Sequence, residues 1–361
     1  MNARVQLRPD VAEIVPYKQG RMAAEDAFKL SSNENPFPPL PSVAEVLREL
    51  PFNRYPEGSA AAVRERLGRI HGVSPEQVVV TPGAVALIGH LIQATCRPED
   101  EVIFAWRSFE GYPQVAGAVG VRTVPVPVLP DGRHDIPAMI AAVNERTRLV
   151  FLCTPNNPTS TIITRAEFEQ FMAAVPPTLL VALDEAYIEF VTDPEAVHGE
   201  ELLDRYPNLF VLRTFSKAYG LAGLRIGYGI GPEYVADAVR SVMTPLAVTE
   251  AAQIAALASL DHEDELLERV QVIVERRDRL AAALRAQGWR IPEAQGNFVW
   301  LETGPELVQR AAEIFEEDGS VVRALGEGLR VSVGEEEAVE KLLRSAGKVV
   351  AMLRQPAGAR G

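Results

Sequence analysis

The stretch R-T-F-S-K-A-Y-G-L-A-G-L-R-I-G-Y, residues 213–228, decides the fold. It follows an apolar run that predicts a buried strand, so Lys217 stands in the loop just beyond a strand end. Thr214, Ser216 and Arg225 lie near that lysine, and two hydroxyls with a guanidinium are suited to holding a phosphate group. A lysine near apolar groups and other cations loses its proton easily, which Schiff-base formation requires. The alternative is a solvated loop lysine beside a helix-capping serine.

Two motifs earlier in the chain also stand at the ends of predicted strands. L-L-V-A-L-D-E-A-Y places Asp184 where its carboxylate can pair with a pyridine nitrogen, and Tyr187 within reach of a phenolic oxygen. C-T-P-N-N-P-T-S-T holds Asn157, an amide donor suited to the same oxygen, between two prolines. A helix-capping aspartate and a rigid turn would explain the same residues without a cofactor.

Further candidates carry a weaker signal each. Gly83 opens a predicted helix in T-P-G-A-V-A, where free N–H groups can bind phosphate. Phe109 in W-R-S-F-E-G-Y could stack on a cofactor ring or belong to the core. Arg330 in L-R-V-S-V-G lies mid-strand, where a charge is costly unless it meets a carboxylate such as that of a substrate. Asn297, before F-V-W, is placed to assist Arg330.

Short apolar runs alternate with amphipathic helical patterns between about residues 40 and 245. The runs predict strands at 78–80, 102–104, 121–126, 149–153, 179–183, 208–212 and 224–230. The helical patterns between them include 59–71, 83–95, 135–144, 164–174 and 232–241. Strands this apolar indicate an α/β fold with a mainly parallel sheet covered by helices. A ligand site is then expected at the carboxyl ends of the strands.

The pattern changes after about residue 248. A long helix is predicted up to about residue 286, followed by short strands and helices that indicate a smaller α+β domain. The strands are predicted at 297–301, 321–323 and 329–333, and the helices at 305–317 and 335–353. We therefore expect an irregular, proline-rich N-terminal arm (1–40), a large domain (41–247) and a small domain (248–361). The arm should lie along another surface, such as the small domain or a subunit interface.

Composition narrows the classes of function. The 361-residue chain carries a net charge of −13, which argues against nucleic acid and anionic membranes as partners. No run approaches the roughly 18 apolar residues of a membrane helix, and no signal peptide is evident. Cys96 and Cys153 are expected to be buried thiols with no metal site, which suggests a cytoplasmic location. Only five of the 36 basic residues are lysines, so lysine chemistry has few places to occur.

The motifs N-N-P-T, D-E-A-Y and S-K-A-Y-G-L-A-G-L-R-I-G together resemble the aminotransferases that depend on pyridoxal 5'-phosphate (PLP) and have PLP transferase fold type I. Within them, the sequence is most similar to the histidinol-phosphate aminotransferase group, from about Leu30 to Gly334. The resemblance implies PLP as cofactor and a homodimer with shared active sites. Tyr55, in N-R-Y-P-E, resembles the tyrosine that reaches the neighbouring subunit's cofactor phosphate, and Tyr17 and Asn33 resemble substrate contacts.

The sequence departs from the histidinol-phosphate pattern where polar groups could bind a substrate phosphate. The phosphate helix begins Gly83-Ala84-Val85, the stacking motif reads Arg107-Ser108-Phe109, and Pro245-Leu246-Ala247 replaces a polar segment. The segment F-A-W-R-S-F-E-G-Y-P is similar to the corresponding sequence of the actinobacterial aromatic (phenylalanine) aminotransferase branch. These apolar replacements favour an aromatic amino acid over histidinol phosphate.

The predicted activity is therefore transfer of an amino group between phenylalanine or tyrosine and a 2-oxo acid such as 2-oxoglutarate. Lys217 would be the Schiff-base lysine and general base, and Asp184 would keep the pyridine nitrogen protonated. Histidinol-phosphate aminotransfer is the main alternative, and a decarboxylase or C–S lyase with the same fold would keep both residues. A dehydrogenase is disfavoured because G-Y-G-I-G (227–231) lacks the G-x-G-x-x-G spacing, and a regulator would need an added DNA-binding domain.

Overall fold

The computed structural model describes residues 5–8, 11, 14 and 26–354, and two sheets organise them. The strands are β1 Phe28–Leu30, β2 Val78–Thr81, β3 Glu101–Trp106, β4 Arg122–Pro127, β5 Thr147–Cys153, β6 Leu180–Asp184, β7 Leu209–Thr214, β8 Gly227–Ile230, β9 Phe298–Glu302, β10 Ser320–Leu325 and β11 Gly328–Ser332. The α-helices between residues 26 and 354 are α1 Pro41–Arg48, α2 Ala61–His71, α3 Ala84–Thr95, α4 Gly111–Val119, α5 Ile136–Ala142, α6 Arg165–Ala174, α7 Glu233–Val242, α8 Glu250–Asp261, α9 Glu263–Gln287, α10 Val308–Glu317 and α11 Ala338–Leu353.

The larger sheet has seven strands in the order β2-β8-β7-β6-β5-β3-β4. Its pairs are parallel except those of β8, which runs antiparallel to β2 and β7. Apolar side chains of α3, α4 and α7 pack on one face of this sheet, and those of α5 and α6 pack on the other. The expected α/β fold, a mainly parallel sheet covered by helices, is confirmed. Since β5, β6 and β7 are parallel neighbours, the loops at their carboxyl ends meet at one edge.

The smaller sheet has four strands in the order β1-β10-β11-β9. β1 pairs with β10 in parallel, and the other pairs are antiparallel. The N-terminal segment up to residue 40 was expected to be irregular, yet Phe28–Leu30 forms the edge strand of this sheet. Helix α1, Pro41–Arg48, directly follows that segment and was not among the predicted helices. Three-residue strands and a helix that begins with proline leave little periodic signal in a sequence. The boundaries at residues 40 and 247 stay a prediction.

Three other elements differ from the predicted pattern. The long helix predicted through residues 265–280 is confirmed as α9, but a helix that was not predicted, α8, precedes it and meets it at His262. Helix α4, G-Y-P-Q-V-A-G-A-V, was not predicted because its glycines and proline are typical of loops. The last strand of the large sheet begins at Gly227 instead of 224, because Ala222–Leu224 forms a 3-10 turn and Arg225 is left-handed, with φ of 57°. In the described part of the chain, no helix combines the length and apolar character needed to cross a membrane.

Candidate active site

Lys217 lies in the loop that follows β7, where burial and a nearby guanidinium favour its uncharged form. Its Nζ donates a hydrogen bond to the carbonyl oxygen of Ser32 at 3.0 Å and lies 5.7 Å from the centre of the Tyr187 ring. Burial lowers the pKa of Lys217 to about 7, and the positive charge of Arg330 acts in the same direction. An amine that titrates near neutrality can attack an aldehyde, so this lysine is suited to imine formation.

A corner formed by polar groups lies beside this lysine loop. Arg225 Nη1 is 3.5 Å from Ser216 Oγ, and the Ser216 backbone N–H donates to Thr214 Oγ1 at 3.1 Å. Gly83 faces the same guanidinium, since a Cβ on Gly83 would stand 2.5 Å from Arg225 Nη2. Gly83 has φ of 84° and is the residue before α3, so free helical N–H groups point into this corner. A guanidinium, two hydroxyls and a helix N-terminus together form an anion site.

The first turn of α3 supplies the backbone of this corner. Ala84 and Val85 are the first residues of the helix, and a Cβ on Gly227 of β8 would stand 2.7 Å from the Ala84 nitrogen. Strand and helix therefore approach as closely as backbone permits. Val85 itself is 41% exposed, so its side chain faces outward in this chain while its N–H belongs to the helix N-terminus.

Asp184 ends β6, next to β7 and the lysine loop. The carboxylate is 4% exposed, its Oδ2 accepts a hydrogen bond from the Tyr112 hydroxyl at 2.6 Å, and its Oδ1 accepts one from the Ala186 N–H at 3.2 Å. Burial raises the pKa of Asp184, and these two hydrogen bonds oppose the shift. A buried carboxylate at a strand end is the partner that a protonated pyridine nitrogen needs.

Tyr112 is a site residue that the sequence analysis missed. It stacks on Phe151 with ring centroids 4.7 Å apart, and its edge meets Phe109 at 5.5 Å with the rings nearly perpendicular. Phe109 is half-buried. The spacing Phe109-x-x-Tyr112 puts both rings on one turn, and this i, i+3 spacing was the available signal.

Arg330 and Asn157 meet across the two sheets. Arg330 Nη1 donates to Asn157 Oδ1 at 2.7 Å, and Nη2 donates to the carbonyl oxygen of Ser31 at 2.6 Å. The arginine is only 7% exposed. Because the Asn157 oxygen accepts from the guanidinium, its Nδ2 is the atom that can donate to a ligand. The carbonyl of Ser31 was not predicted, because a backbone contact leaves no trace in residue type.

Tyr187 and Asn33 lie between Lys217 and the small sheet. The Tyr187 hydroxyl accepts a hydrogen bond from Asn33 Nδ2 at 3.0 Å, and burial raises the pKa of Tyr187 to about 12. Asn297 is fully buried and its Nδ2 donates to the Asn33 carbonyl oxygen at 3.2 Å. Asn33 and Asn297 thus contact protein groups beside Arg330, and their expected contacts with substrate stay a prediction.

Some of the predicted residues are not brought to this place. Tyr55 is 85% exposed on the loop between α1 and α2. Leu246, from the segment that departs from the histidinol-phosphate pattern, is 40% exposed and lies beside Gly58, on the same side as that loop. Tyr17 lies outside the described residues.

The residues present fit PLP. The cradle at Gly83 has no room for a Cβ next to Arg225, the amine of Lys217 titrates near neutrality, and the carboxylate of Asp184 is buried. These features match the phosphate, the aldehyde and the ring nitrogen of the cofactor in turn.

Comparison with known proteins agrees with this geometry. Residues 25–345 match the family "Aminotransferase class I and II". An aromatic amino acid aminotransferase of Streptomyces coelicolor is 50% identical over 345 residues, covering 94% of this chain and 96% of the relative. A relative of the same name from Cutibacterium acnes is 48% identical over 349 residues, covering 96% and 99%.

Among solved structures, a histidinol-phosphate aminotransferase of Sinorhizobium meliloti in complex with pyridoxal-5'-phosphate has a TM-score of 0.87 and 26% identity, over 98% of this chain and 99% of that one. The sequence match extends over nearly all of the described residues, including both sheets. This chain therefore belongs to the class I and II aminotransferases, a PLP-dependent family.

Proposed function

We propose that this aminotransferase moves an amino group between an aromatic L-amino acid, phenylalanine or tyrosine, and a 2-oxo acid such as 2-oxoglutarate. The observation that carries the proposal is the meeting of an amine, a buried carboxylate and a buried guanidinium at one edge of the large sheet. These groups are Lys217, Asp184 and Arg330, and each is matched to a different part of the cofactor and substrate.

Cofactor binding would use three groups of residues. The phosphate of PLP would bind in the corner formed by the lysine loop and the start of α3, which consists of Gly83, Ala84, Val85, Thr214, Ser216 and Arg225. Phe109 would lie against the ring, and Asp184 would hold a proton on the pyridine nitrogen. Asn157 Nδ2 and the Tyr187 hydroxyl would donate to the phenolic oxygen. Bound in this way, PLP supplies a sink for the electron pair that is left when the substrate loses its Cα proton.

Lys217 and Arg330 would act on the substrate. The Arg330 guanidinium would hold the α-carboxylate in two hydrogen bonds, exchanging its present contact with the Ser31 carbonyl for the carboxylate. This contact fixes the Cα–H bond relative to the lysine. Lys217 Nζ would take the Cα proton and deliver it to the cofactor carbon, and a pKa near 7 leaves the amine able to do both at neutral pH.

The preference for an aromatic side chain rests on the apolar departures and on the relatives. Ala84 and Phe109 lie at the site and stand where the histidinol-phosphate pattern carries polar groups, so a substrate phosphate would lose hydrogen bonds there. Relatives that are 48–50% identical are named aromatic amino acid aminotransferases, whereas the histidinol-phosphate aminotransferase described above is 26% identical.

We further propose a homodimer whose sites take residues from both subunits. Tyr55 is 85% exposed and Phe52 is 92% exposed on one loop, so these rings contact little of their own chain. A neighbouring subunit would bury them, and the Tyr55 hydroxyl would then reach the phosphate of that subunit's PLP. A cytoplasmic location stays a prediction from the sequence.

The first test is Lys217→Ala, with Lys348→Ala as the matched lysine control. Lys348 lies on α11 and pairs at the surface with Asp318, at 2.6 Å. Borohydride reduction of the PLP-loaded protein should fix a pyridoxyl group on the peptide that holds Lys217 in wild type and in the control, and on no peptide of Lys217→Ala. Transamination by Lys217→Ala should fall at least ~1,000-fold, on the scale of lost acid–base catalysis. Wild-type rates in this variant would contradict the assignment.

The second test concerns the substrate. Half-reactions of the PLP-loaded wild type with phenylalanine, tyrosine and histidinol phosphate are followed by the loss of the yellow colour. We expect kcat/KM for the two aromatic amino acids to exceed that for histidinol phosphate by at least about tenfold. A preference for the phosphate ester would overturn the substrate assignment and leave the roles of Lys217 and Asp184 intact.

A further inference from the structure

Asn33 has no exposed surface, and its polar groups are all engaged with protein. Its N–H donates to Ser332 Oγ at 2.8 Å, and its Oδ1 accepts from the same hydroxyl at 2.9 Å. Its Nδ2 donates to the Tyr187 hydroxyl at 3.0 Å, and its carbonyl accepts from Asn297 Nδ2. The Asn33 side chain therefore bridges Ser332 of β11 and the Tyr187 hydroxyl.

The directions of these hydrogen bonds follow from chemistry alone. The backbone N–H of Asn33 can only donate, so the Ser332 hydroxyl accepts there and gives its single proton to Oδ1. This fixes the amide oxygen toward Ser332 and the amide nitrogen toward Tyr187. An amide nitrogen can only donate, so the Tyr187 oxygen accepts. The phenolic proton of Tyr187 must then point to another acceptor.

Within the described residues, Asn33 is the only hydrogen-bond partner of the Tyr187 hydroxyl. The ring is held by Phe298, whose centroid lies 4.8 Å away, so the hydroxyl cannot swing far to find another. The phenolic proton of Tyr187 is therefore available for donation to a ligand that binds in the site.

We propose that Asn33 is a positioning residue, which fixes Tyr187 as a hydrogen-bond donor toward the phenolic oxygen of bound PLP. This inference rests on the role proposed above for Tyr187. Ser332, two residues after Arg330 on β11, sets the orientation of the amide. The segment Ser31–Asn33 therefore has two roles: the Ser31 carbonyl binds Arg330, and Asn33 sets the direction of the Tyr187 hydroxyl proton next to Lys217.

Asn33→Asp is the sharpest variant because it keeps the shape and reverses one hydrogen bond. Asn33 is left-handed, with φ of 52°, and aspartate tolerates this backbone as asparagine does. A carboxylate oxygen in place of Nδ2 can only accept a hydrogen bond. Tyr187 would therefore donate its proton to the introduced carboxylate and could no longer donate it to the cofactor. For this reason the variant should mimic Tyr187→Phe at the cofactor.

The experiment is a pH titration of the visible absorbance of the PLP-loaded protein. Its midpoint reports how tightly a proton is held between the Lys217 nitrogen and the phenolic oxygen of the cofactor. Wild type, Asn33→Asp, Tyr187→Phe and the double variant are compared. An oxygen that loses a donor holds the shared proton more tightly, so we expect each single variant to raise the midpoint by about one to two pH units. The double variant should show no further rise.

The outcomes separate the inference from the function on which it rests. If Tyr187→Phe leaves the midpoint unchanged, the role proposed for Tyr187 is wrong and the inference falls with it. If Tyr187→Phe raises the midpoint and Asn33→Asp does not, only the inference is overturned. It is also overturned if the two shifts add in the double variant, because the new carboxylate would then act through its charge.

Ser332→Ala is the second variant, and it covers the case in which Asn33→Asp does not fold. Without the hydroxyl the Asn33 amide can rotate and present its oxygen to Tyr187 for part of the time. We expect a smaller rise of the midpoint in the same direction, with a thermal unfolding midpoint that shows the protein folded. An unchanged absorbance titration in folded Ser332→Ala would contradict the inference.

Discussion

Burial acts in opposite directions on the two titrating residues of the site. It lowers the pKa of Lys217 and raises the pKa of Asp184, because a low dielectric disfavours both charged forms. The lowered pKa of Lys217 favours imine formation, whereas the raised pKa of Asp184 disfavours the ionised carboxylate that the cofactor needs. Tyr112 offsets this second effect, since a hydrogen bond from its hydroxyl stabilises the charged form of Asp184.

Tyr112→Phe should therefore weaken cofactor binding. The phenylalanine keeps the stack on Phe151 but removes the donor to Asp184, which raises the pKa of that carboxyl further and leaves less carboxylate to pair with the pyridine nitrogen. A hydrogen bond to a charged group contributes about 1.5–3 kcal/mol, so we expect the Kd of the apoenzyme for PLP to rise at least tenfold. Fluorescence titration measures this. Tyr234→Phe, at a site 70% exposed on α7, should bind PLP as wild type does. Equal affinities in the two variants would contradict the role of Tyr112.

At the scale of elements, the N-terminus of α3 depends on one residue without a side chain. Gly83 adopts a left-handed φ of 84° and lies against Arg225. The helix thus begins where the guanidinium stands, so that helical N–H groups and the arginine can hold one anion together.

Gly83→Ala should loosen this anion site. The new Cβ would stand 2.5 Å from Arg225 Nη2, which forces the guanidinium to move, and alanine is strained at this φ. We expect at least about tenfold weaker PLP binding and a loss of about 1 kcal/mol in stability. Gly347→Ala is the matched control, because its Cβ in α11 would meet only the Gln287 amide, at 3.8 Å. The control should gain about 0.5–1 kcal/mol and bind PLP normally. The same affinity in both variants would exclude a cradle at Gly83.

Much of this arrangement was predictable because parallel strands align their carboxyl ends. Once Asp184, Asn157 and Lys217 were each placed after a buried strand, their convergence followed from sheet geometry. Arg330 was predictable for a different reason, since a charge in the middle of an apolar strand needs a partner. Phe109 was left open between cofactor stacking and core.

The remaining contacts could not be predicted because they leave no mark in residue type. Ser31 and Ser32 act through backbone carbonyls, which every residue has. The role of Asn33 depends on a hydroxyl 299 residues away. Tyr112 was hidden by the loop-like composition of α4.

At the scale of the whole molecule, a buried group of charged residues lies behind the lysine loop. Arg213, the residue before Thr214, pairs with Glu185 at 2.9 Å, and Glu185 is completely buried. Glu189 stands near this pair, with an oxygen that has no hydrogen-bond partner among the described residues. Burial raises the pKa of Glu189 to about 7, although the positive charge of Arg213 opposes the shift. Between the two pKa values, Glu189 therefore takes up a proton when the protein folds.

This proton links stability to pH. The pKa of Glu189 is about 7 in the folded protein against 4.5 for an ordinary glutamate, so its contribution to stability is full below pH 4.5 and is lost as the pH rises to about 7. The glutamine in Glu189→Gln cannot titrate. As the pH rises from 4.5 to 7, the free energy of unfolding of the variant should therefore increase relative to that of wild type, by up to about 3 kcal/mol. Denaturant unfolding between about pH 4 and pH 8 measures the difference.

A control and a separate window make this result specific. Glu145→Gln, at an exposed position, should follow the wild-type curve. Glu200, whose pKa is lowered to about 2 by its hydrogen bond with His71, loses its contribution only as the pH falls below 4.5. Parallel curves for wild type and Glu189→Gln would mean that the pKa of Glu189 is the same in the folded and unfolded protein, which would contradict this prediction.

The pairing of Ser31 and Asn33 with Arg330 and Ser332 spans 299 positions in each case. The β10–β11 hairpin is synthesised well after β7 and the lysine loop. A nascent chain that has already built its large sheet thus still lacks the arginine that is proposed to hold the substrate carboxylate. Competence for the proposed catalysis is acquired only after the large sheet has been made, when Arg330 and Ser332 meet Ser31 and Asn33.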